Sequence, residues 1–282
     1  MSRASESCCQ GGGVSLITSL NNPQVKRILH LNQKTKARRQ EGLFVAEGEK
    51  MFLEAPVSWI DRVYVSEEYV PQAGAAEKLS CVSSETVGSS VFRQMSDTCT
   101  PQGVLTVLKT PVYGADDLLS HSMEHAPLFL ILEDIQDPGN LGSMIRSGEG
   151  AGVDGVLLTK TCADVTSPKA VRATMGSVYR IPYLWIENIE EAGRILRPLG
   201  VKLYAAYLKG GEDYDRMDYS HGCAFLIGNE GKGLTLEAVN EADKRIRIPM
   251  CGRVESLNAA MAASILMYEA ARQRREKHTM YP

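Results

Sequence analysis

The stretch LFLILEDIQDPGNLGSMIRSGEGAGVDGVLLT, residues 128–159, carries the pattern that decides the fold. The apolar run LFLILEDI predicts a strand, the residues from about Asn140 predict a helix, and GVLLT predicts a second strand. Both strands are apolar throughout rather than alternating, which is typical of a parallel sheet covered by helices on both faces. The same alternation continues to a long terminal helix. We therefore predict an α/β fold with a parallel sheet over residues 128–282.

Three further segments precede this predicted domain. Residues 1–15 are small and polar with a GGG run, and we expect a disordered leader. Over residues 16–109 short β-type runs alternate with helical patterns, which predicts a small α/β domain. Residues 110–127 contain two prolines and a glycine among mixed polar residues, so this segment is the best candidate for a linker.

The composition excludes several classes of protein. The longest strongly apolar run, APLFLIL at 126–132, is far too short to span a bilayer, and the N-terminus lacks the apolar core of a secretory signal. We therefore expect a soluble, cytoplasmic protein that does not enter a membrane. The seven cysteines are odd in number and without CxxC spacing, which favours reduced structural thiols, and we expect no metal site.

Positive charge is concentrated near the N-terminus, although the net charge of the chain is only −3. A basic lead helix is predicted over residues 23–40, and it carries no acidic residue. The rest of the chain then carries a net charge of −9. Two interpretations stay open, a solvated helix face and a patch that contacts RNA phosphates. The six cations are Lys26, Arg27, Lys34, Lys36, Arg38 and Arg39.

Unusual loops follow three of the predicted strands: DIQDPGNLGSMIRSGEGAG, GNEGKGL and PMCGRVESLNAAMAAS. In open parallel sheets, ligands bind beyond the carboxyl ends of the strands. The second loop is not a Walker loop, because Lys232 is followed by Gly233 and not by a hydroxyl residue that could hold magnesium. Its glycines also have the wrong spacing for a dinucleotide fingerprint.

Together the three loops resemble one family. PGNLGSMIRSGEGAGVDGVLL, LIGNEGKGL and IPMCGRVESLNAAMAASILMYE resemble motifs one, two and three of the SpoU (TrmH-type) branch of the SPOUT RNA methyltransferases, in the family's order. The resemblance covers residues 128–275. Upstream, LFVAEGEKMFLEA and TPQGVLTVLK resemble the substrate-binding domain that precedes the catalytic domain in many members.

The resemblance implies a ribose 2′-O-methyltransferase that uses S-adenosylmethionine, with a C-terminal trefoil knot and a homodimeric assembly. True knots are nearly absent from proteins, so a knot at this place is expected to form a ligand pocket. The residues that match the family's polar site are Asn140, Arg146, Glu230, Ser256 and Asn258. The residues that match its cofactor site are Gly228, Ile248 and Leu257, together with Thr159, Leu226 and Met250.

Roles for the polar residues follow from their chemistry. The family proposal makes the motif-one arginine a base, but a guanidinium stays protonated in proteins. We therefore expect Arg146 to orient the ribose hydroxyl and its phosphate and to stabilise developing charge. Glu230 is expected to pair with an arginine, either Arg146 or one from a partner subunit. Ser256 and Asn258 are expected to begin the last helix, where capping and site support are both open.

Ribosomal RNA is the preferred substrate, because the added N-terminal domain resembles members that act on ribosomal RNA more than the minimal tRNA enzymes. A tRNA 2′-O-methyltransferase remains an alternative, and so does antibiotic resistance as the biological role. A catalytically silent, knotted RNA-binding protein would carry damaged motifs, whereas all five polar residues are present. A nucleotide-binding enzyme of Rossmann type would instead be stabilised by NAD or ATP.

Overall fold

A computed structural model describes residues 16–120 and 125–280. The predicted disordered leader, residues 1–15, lies outside this part. The described N-terminal strands and α-helices follow the order β1 (Leu16–Ile17), α1 (Pro23–Gln33), α2 (Thr35–Glu41), β2 (Leu43–Glu47), α3 (Glu49–Glu54), β3 (Ile60–Ser66), α4 (Ala73–Ser80), β4 (Ser84–Val87), α5 (Ser89–Met95), β5 (Val104–Lys109) and α6 (Ala115–Ser120).

Two elements of this part differ from the predicted pattern. The predicted basic helix over residues 23–40 is two helices, because Lys34 between them has extended backbone angles (φ −123°, ψ 111°). The predicted linker, residues 110–127, contains the helix α6.

The described strands and helices of the C-terminal part alternate as predicted, except that β9, β10 and β11 follow one another without an α-helix between them. Its described elements are β6 (Leu128–Leu132), α7 (Pro138–Ala151), β7 (Gly155–Thr159), α8 (Pro168–Thr174), β8 (Tyr183–Ile186), α9 (Ile189–Leu196), β9 (Lys202–Ala206), β10 (Glu212–Asp213), β11 (Cys223–Ile227), α10 (Leu236–Glu241), β12 (Lys244–Arg247) and α11 (Ala259–Met280).

Each part has its own sheet within the described residues. The N-terminal sheet has the strand order β1-β4-β3-β5-β2, in which β5 runs antiparallel to both of its neighbours. The C-terminal sheet has the order β10-β12-β9-β11-β6-β7-β8, and its strands pair in parallel throughout. The predicted parallel α/β fold is therefore confirmed. Because β11 lies beside β6, the loops that follow these two strands meet at one edge of the sheet.

Helices cover both faces of the parallel sheet. On one face α7 and α11 contribute Leu141, Met144 and Leu266 to the core. On the other face α9 and α10 contribute Leu196 and Val239. The terminal helix α11 packs back against α7, which fits the predicted trefoil knot; the knot itself stays a prediction.

The helix α7 begins and ends at recognisable signals. Asp137 is its N-cap and accepts hydrogen bonds from the backbone of Gly139 and Asn140, and Pro138 occupies the first turn. Gly152 ends the helix with a left-handed backbone (φ +80°) that favours glycine. Residues 133–137 connect the carboxyl end of β6 to the first turn of α7, which places Asn140 near that edge of the sheet.

The N-terminal part packs directly on the C-terminal part. Apolar residues of β2 and α3, such as Phe44 and Met51, belong to the same buried core as β6 and α7. Within the described residues, three ion pairs also cross between the two parts: Arg38 with Asp164, Arg172 with Asp97, and Arg180 with Glu54. Among the described helices, none is long and apolar enough to cross a membrane.

Candidate active site

A chain of hydrogen bonds joins the three loops that the sequence analysis singled out. The side-chain amide of Asn258 donates to Oδ1 of Asn140 over 3.0 Å, and the amide of Asn140 donates to Oε1 of Glu230, also over 3.0 Å. These residues come from motif three, motif one and motif two respectively. The fold thus brings three of the five predicted polar residues together at the carboxyl edge of the sheet.

Glu230 is fixed by backbone as well as by side-chain donors. Its carboxylate accepts the backbone N–H groups of Gln136 and Asp137, each over 3.2 Å, in addition to the amide of Asn140. Partial burial alone would raise the pKa of Glu230, but these hydrogen bonds outweigh it and hold the pKa below its usual range. The carboxyl group is therefore ionised at neutral pH and acts as an acceptor.

No ion pair between Glu230 and an arginine is present in the described part of the chain, so the Arg146 alternative fails, while pairing with an arginine of a partner subunit stays a prediction. Arg146 lies six residues after Asn140 on α7, which places it about 9 Å further along the helix axis and on a different face. Its side chain is exposed. Among the residues described, no carboxylate pairs with it, which leaves the guanidinium available to a phosphate or a partner subunit.

A cavity of about 420 Å³ opens beside this chain of hydrogen bonds, at the ends of β9, β11 and β12. Its volume lies within the range of about 300–1,000 Å³ that is usual for small-molecule sites. Four of the predicted cofactor residues line it, together with Glu230 and Ser256: they are Gly228, Ile248, Met250 and Leu257.

Two other predicted cofactor residues lie outside the cavity. Leu226 is fully buried in the core beneath α9 and α10, where strand β11 is covered on both sides. Thr159 is buried at the end of β7, and its hydroxyl accepts the backbone N–H of Asp134 over 3.1 Å. In both cases the side chain supports the sheet or the first loop instead of facing the cavity.

Several residues that line the cavity were not predicted from the sequence. Leu208 and Lys209 follow β9, and Leu234 and Leu236 follow the glycine loop. Lys232, which had no assigned role, also lines the cavity. The position of Lys232 between glycines in GNEGKGL was the one sequence signal available, whereas nothing in the sequence marked the end of β9 as part of a site.

The loop after β11 is closed on itself. Oδ1 of Asn229 accepts the backbone N–H groups of Gly231 and Lys232, each over 2.9 Å, and Gly233 donates its N–H to the backbone carbonyl of Asn229. The neck of this closed loop is at Gly228, where a Cβ atom would lie 2.3 Å from the backbone of Gly233. Only glycine permits this approach.

The start of the last helix differs from the prediction. The helix α11 begins at Ala259, and Asn258 caps it by accepting the backbone N–H groups of Ala260 and Met261. The same side chain donates a hydrogen bond to Asn140, so Asn258 both caps the helix and supports the site. Ser256 does not begin the helix but lies in the preceding loop, where it faces the cavity.

The six cations predicted to contact RNA fall into different environments. Arg38 is only 4% exposed and forms an ion pair with Asp164 over 2.7 Å, so its assignment to RNA contact is wrong. Arg27 pairs with Glu41, and its hydrogen bond to this carboxylate raises the pKa of Arg27. The remaining four are exposed: Lys26, Lys34, Lys36 and Arg39.

Residues 127–268 match the model of the SpoU rRNA Methylase family, and residues 22–106 match that of the MRM3-like substrate binding domain. The chain is 32% identical to the 23S rRNA (guanosine(2553)-2′-O)-methyltransferase RlmP of Bacillus subtilis, over 89% of this chain and 97% of that protein. It is 30% identical to the human mitochondrial rRNA methyltransferase 3, over 84% of this chain and 69% of that protein.

Two solved structures resemble the whole chain. An rRNA methyltransferase from Sinorhizobium meliloti, described as AdoMet bound, has a TM-score of 0.82 at 35% identity and covers 93% of this chain and 98% of its own. The SpoU methyltransferase AviRb from Streptomyces viridochromogenes, in complex with AdoMet, has a TM-score of 0.81 at 26% identity, with coverage of 90% and 98%. The family match, the full-length relatives and the joined motif loops lead to one conclusion: this chain belongs to the SpoU rRNA methylase family.

Proposed function

We propose that the protein is an S-adenosylmethionine-dependent RNA methyltransferase that transfers a methyl group to a ribose 2′-hydroxyl of ribosomal RNA. The observation that carries the proposal is the hydrogen-bonded chain Asn258–Asn140–Glu230 at the edge of the cavity. Full-length relatives named as ribosomal RNA methyltransferases support the substrate, and RlmP is named as a 2′-O-methyltransferase.

The cavity fits the cofactor that the two solved relatives are described as binding. Its walls combine apolar side chains, Ile248, Met250 and Leu257, with the exposed backbone around Gly228. This combination suits adenosine, because the apolar side chains cover the ring system and the main chain supplies hydrogen bonds. When bound, S-adenosylmethionine supplies the methyl group as an electrophile on a sulfonium.

With the cofactor bound, the ribose oxygen would form its bond to the methyl carbon as the carbon–sulfur bond breaks, and the hydroxyl proton would pass to solvent water. Alignment of these groups can supply about 7–11 kcal/mol of the barrier reduction in favourable cases. Arg146 remains protonated, so its role is to hold the adjacent phosphate and to stabilise the negative charge that develops on oxygen. Glu230 already accepts three hydrogen bonds, and we assign it the positioning of Asn140.

We further propose that the enzyme acts as a homodimer. Met261, Ile265 and Tyr268 follow a helical i, i+4, i+7 pattern on α11, and Met261 and Tyr268 are 63% and 47% exposed. Tyr268 lies against Gly150 of α7, one turn beyond Arg146. Burial of this apolar stripe between two subunits would therefore bring Arg146 to an interface, where it could complete the partner's site.

Ribosomal RNA modification and the bacterial relatives support a cytoplasmic location.

The alternative substrate is transfer RNA. The silent RNA-binding alternative is disfavoured because Asn140, Glu230 and Asn258 are not only present but also joined to one another.

The experiment that tests the proposal incubates the protein with S-adenosylmethionine labelled in the methyl group and separate pools of ribosomal and transfer RNA. Mapping of the label should locate a 2′-O-methyl group in ribosomal RNA. Arg146→Ala should abolish transfer, while Arg93→Ala, which removes an exposed arginine of α5 that does not line the cavity, should not. Label only in transfer RNA would overturn the substrate, and full activity of Arg146→Ala would overturn the mechanism.

A further inference from the structure

A second cavity, of about 430 Å³, lies between the N-terminal and catalytic domains. It is separate from the cofactor cavity and shares no lining residue with it. Its walls come from α2, from the segment after β5, from the loop after β7 and from β8. Arg39, Val112, Tyr113, Tyr183 and Trp185 are among its lining residues.

The cavity combines aromatic surface with an available cation. Tyr113 and Tyr183 pack edge to face with ring centroids 5.5 Å apart, and Trp185 is half-buried beside them. The guanidinium carbon of Arg39 lies 5.9 Å from the centroid of the Trp185 ring. Arg39 is exposed and makes no ion pair with any described carboxylate. Aromatic faces beside a free cation are the features that hold an unpaired base and its phosphate.

The one acidic residue among the lining residues is already neutralised. Asp164 accepts hydrogen bonds at one carboxylate oxygen from Nε and Nη2 of Arg38, over 2.9 and 2.7 Å. Its other oxygen accepts from the backbone and the hydroxyl of Thr166. The ion pair also links α2 to the loop after β7, so these two walls of the cavity are held in a fixed relative position. The cavity is therefore preformed, and among its lining residues Arg39 is the cation that no described carboxylate neutralises.

The cavity also continues the edge of the sheet on which the active site lies. The loop after β7 is joined to the loop after β6: Ala163 donates its N–H to the carbonyl of Ile135 over 2.7 Å, and Nε2 of Gln136 donates to the carbonyl of Thr161. Gln136 in turn donates its backbone N–H to Glu230. An RNA strand that follows this edge from the cofactor cavity would reach Trp185.

We propose that this cavity is a second RNA-contact site, which takes an unpaired, splayed-out base of the substrate on Trp185 and holds the neighbouring phosphate with Arg39. The proposal rests on the proposed function in that the substrate is RNA. It adds that the recognised RNA is single-stranded at a fixed distance from the methylated ribose, because base stacking on a protein side chain requires an unpaired base.

Fluorescence of Trp185 tests the contact directly. The chain has two tryptophans, and Trp59 lies elsewhere, against Tyr179. In the Trp59→Phe variant, Trp185 is therefore the only source of tryptophan emission. A single-stranded oligoadenylate should quench this emission, whereas a fully paired RNA duplex of the same length should leave it nearly unchanged. Equal effects of the two probes, or none from either, would overturn the proposal.

Substitutions then measure the contribution of the cavity to RNA binding. Trp185→Ala should weaken binding of the oligoadenylate about 10-fold, within the range measured for one stacked base, and Trp185→Phe should restore most of it. Arg39→Ala should weaken binding and reduce its salt dependence by about one phosphate contact. Arg93→Ala removes an exposed arginine of α5 outside the cavity and should have little effect.

The failure of this proposal can be told apart from failure of the proposed function. If the cavity plays no part in RNA binding, the unmodified enzyme still methylates RNA. In that case Arg39→Ala, whose exposed side chain makes no structural ion pair, should bind RNA as Arg93→Ala does. If the proposed function is wrong, the unmodified enzyme transfers no methyl group to any RNA. Affinity for S-adenosylmethionine should stay the same in all cavity variants, since none of these residues lines the cofactor cavity.

Discussion

Substitution of Gly228 by alanine tests whether the neck of the glycine loop shapes the cofactor cavity. The added Cβ would lie 2.3 Å from the carbonyl carbon of Gly233 and 2.3 Å from the nitrogen of Leu234. Carbon atoms in contact are usually about 3.5–4.0 Å apart. The two backbone segments must therefore separate by more than about 1 Å. No side-chain rotation can relieve this overlap, because the atoms that it meets belong to the main chain.

The displacement has a cost that can be estimated. Overpacking in a closed region typically costs about 1–3 kcal/mol, and separation of the segments also strains the hydrogen bond from Gly233 to the carbonyl of Asn229. Since Gly228 lines the cavity, we expect this free energy to appear mainly as lost ligand affinity. A loss of 1.4 kcal/mol is tenfold, so binding of S-adenosylmethionine should weaken about 10- to 100-fold.

Isothermal titration calorimetry with S-adenosylmethionine measures this effect. Gly252→Ala is the matched control, because a Cβ at Gly252 meets no atom within 4 Å and the residue does not line the cavity. Circular dichroism establishes that both variants are folded. A folded Gly228→Ala protein that binds the cofactor as tightly as the control would refute the reasoning from the loop geometry.

Three further substitutions probe the domain junction and the polar chain. Arg38→Ala leaves the largely buried Asp164 without its ion-pair partner and should reduce the free energy of unfolding, measured in urea, by about 3–5 kcal/mol. Arg27→Ala, at an exposed ion pair, should cost less than about 1 kcal/mol. Similar losses in the two variants would contradict the argument from burial. Asn140→Ala removes the hydrogen bonds that join Asn140 to Glu230 and to Asn258, and it should lower the methyl-transfer rate about 100-fold. Cofactor affinity should change little, since Asn140 does not line the cavity. An unchanged rate would argue against a positioning role of Asn140. Because the pKa of Glu230 is lower in the folded than in the unfolded protein, its ionised carboxylate stabilises the fold above about pH 4.3, the pKa of a glutamate in an unfolded chain. This stabilisation should disappear as the pH falls through the lower pKa of the folded protein. In urea unfolding across this pH range, Glu230→Gln should lack this pH-dependent part of the free energy of unfolding.

Local patterns in the sequence predicted the parallel sheet, the succession of elements in the catalytic domain and the family, and these predictions are confirmed. They were less successful where burial decides the role of a side chain. Arg38 and Arg39 are neighbours on α2 and look alike in sequence, but one is buried against Asp164 and the other is exposed over Trp185. Periodicity within one helix cannot distinguish them, because the covering surface belongs to another domain.

Assignments of individual site residues show the same limit. Leu226 lies in β11 and Gly228 directly follows this strand, yet Gly228 lines the cavity and Leu226 is buried in the core. A strand that is apolar on both faces gives no signal for where its covered part ends. The catalytic assignment of Arg146, Ser256 and the other polar residues stays a prediction until their variants are assayed.

The sequence by itself determined which residues form strands and helices, since apolar runs, helix caps and glycine turns act over a few positions. It also placed three polar loops at strand ends. Only the tertiary structure decided that Asn140 would meet Glu230 and Asn258, which lie 90 and 118 positions away along the chain. The reason is that these contacts depend on β11 lying beside β6 and on α11 returning to α7, and both arrangements arise from packing of the whole sheet and not from any local pattern.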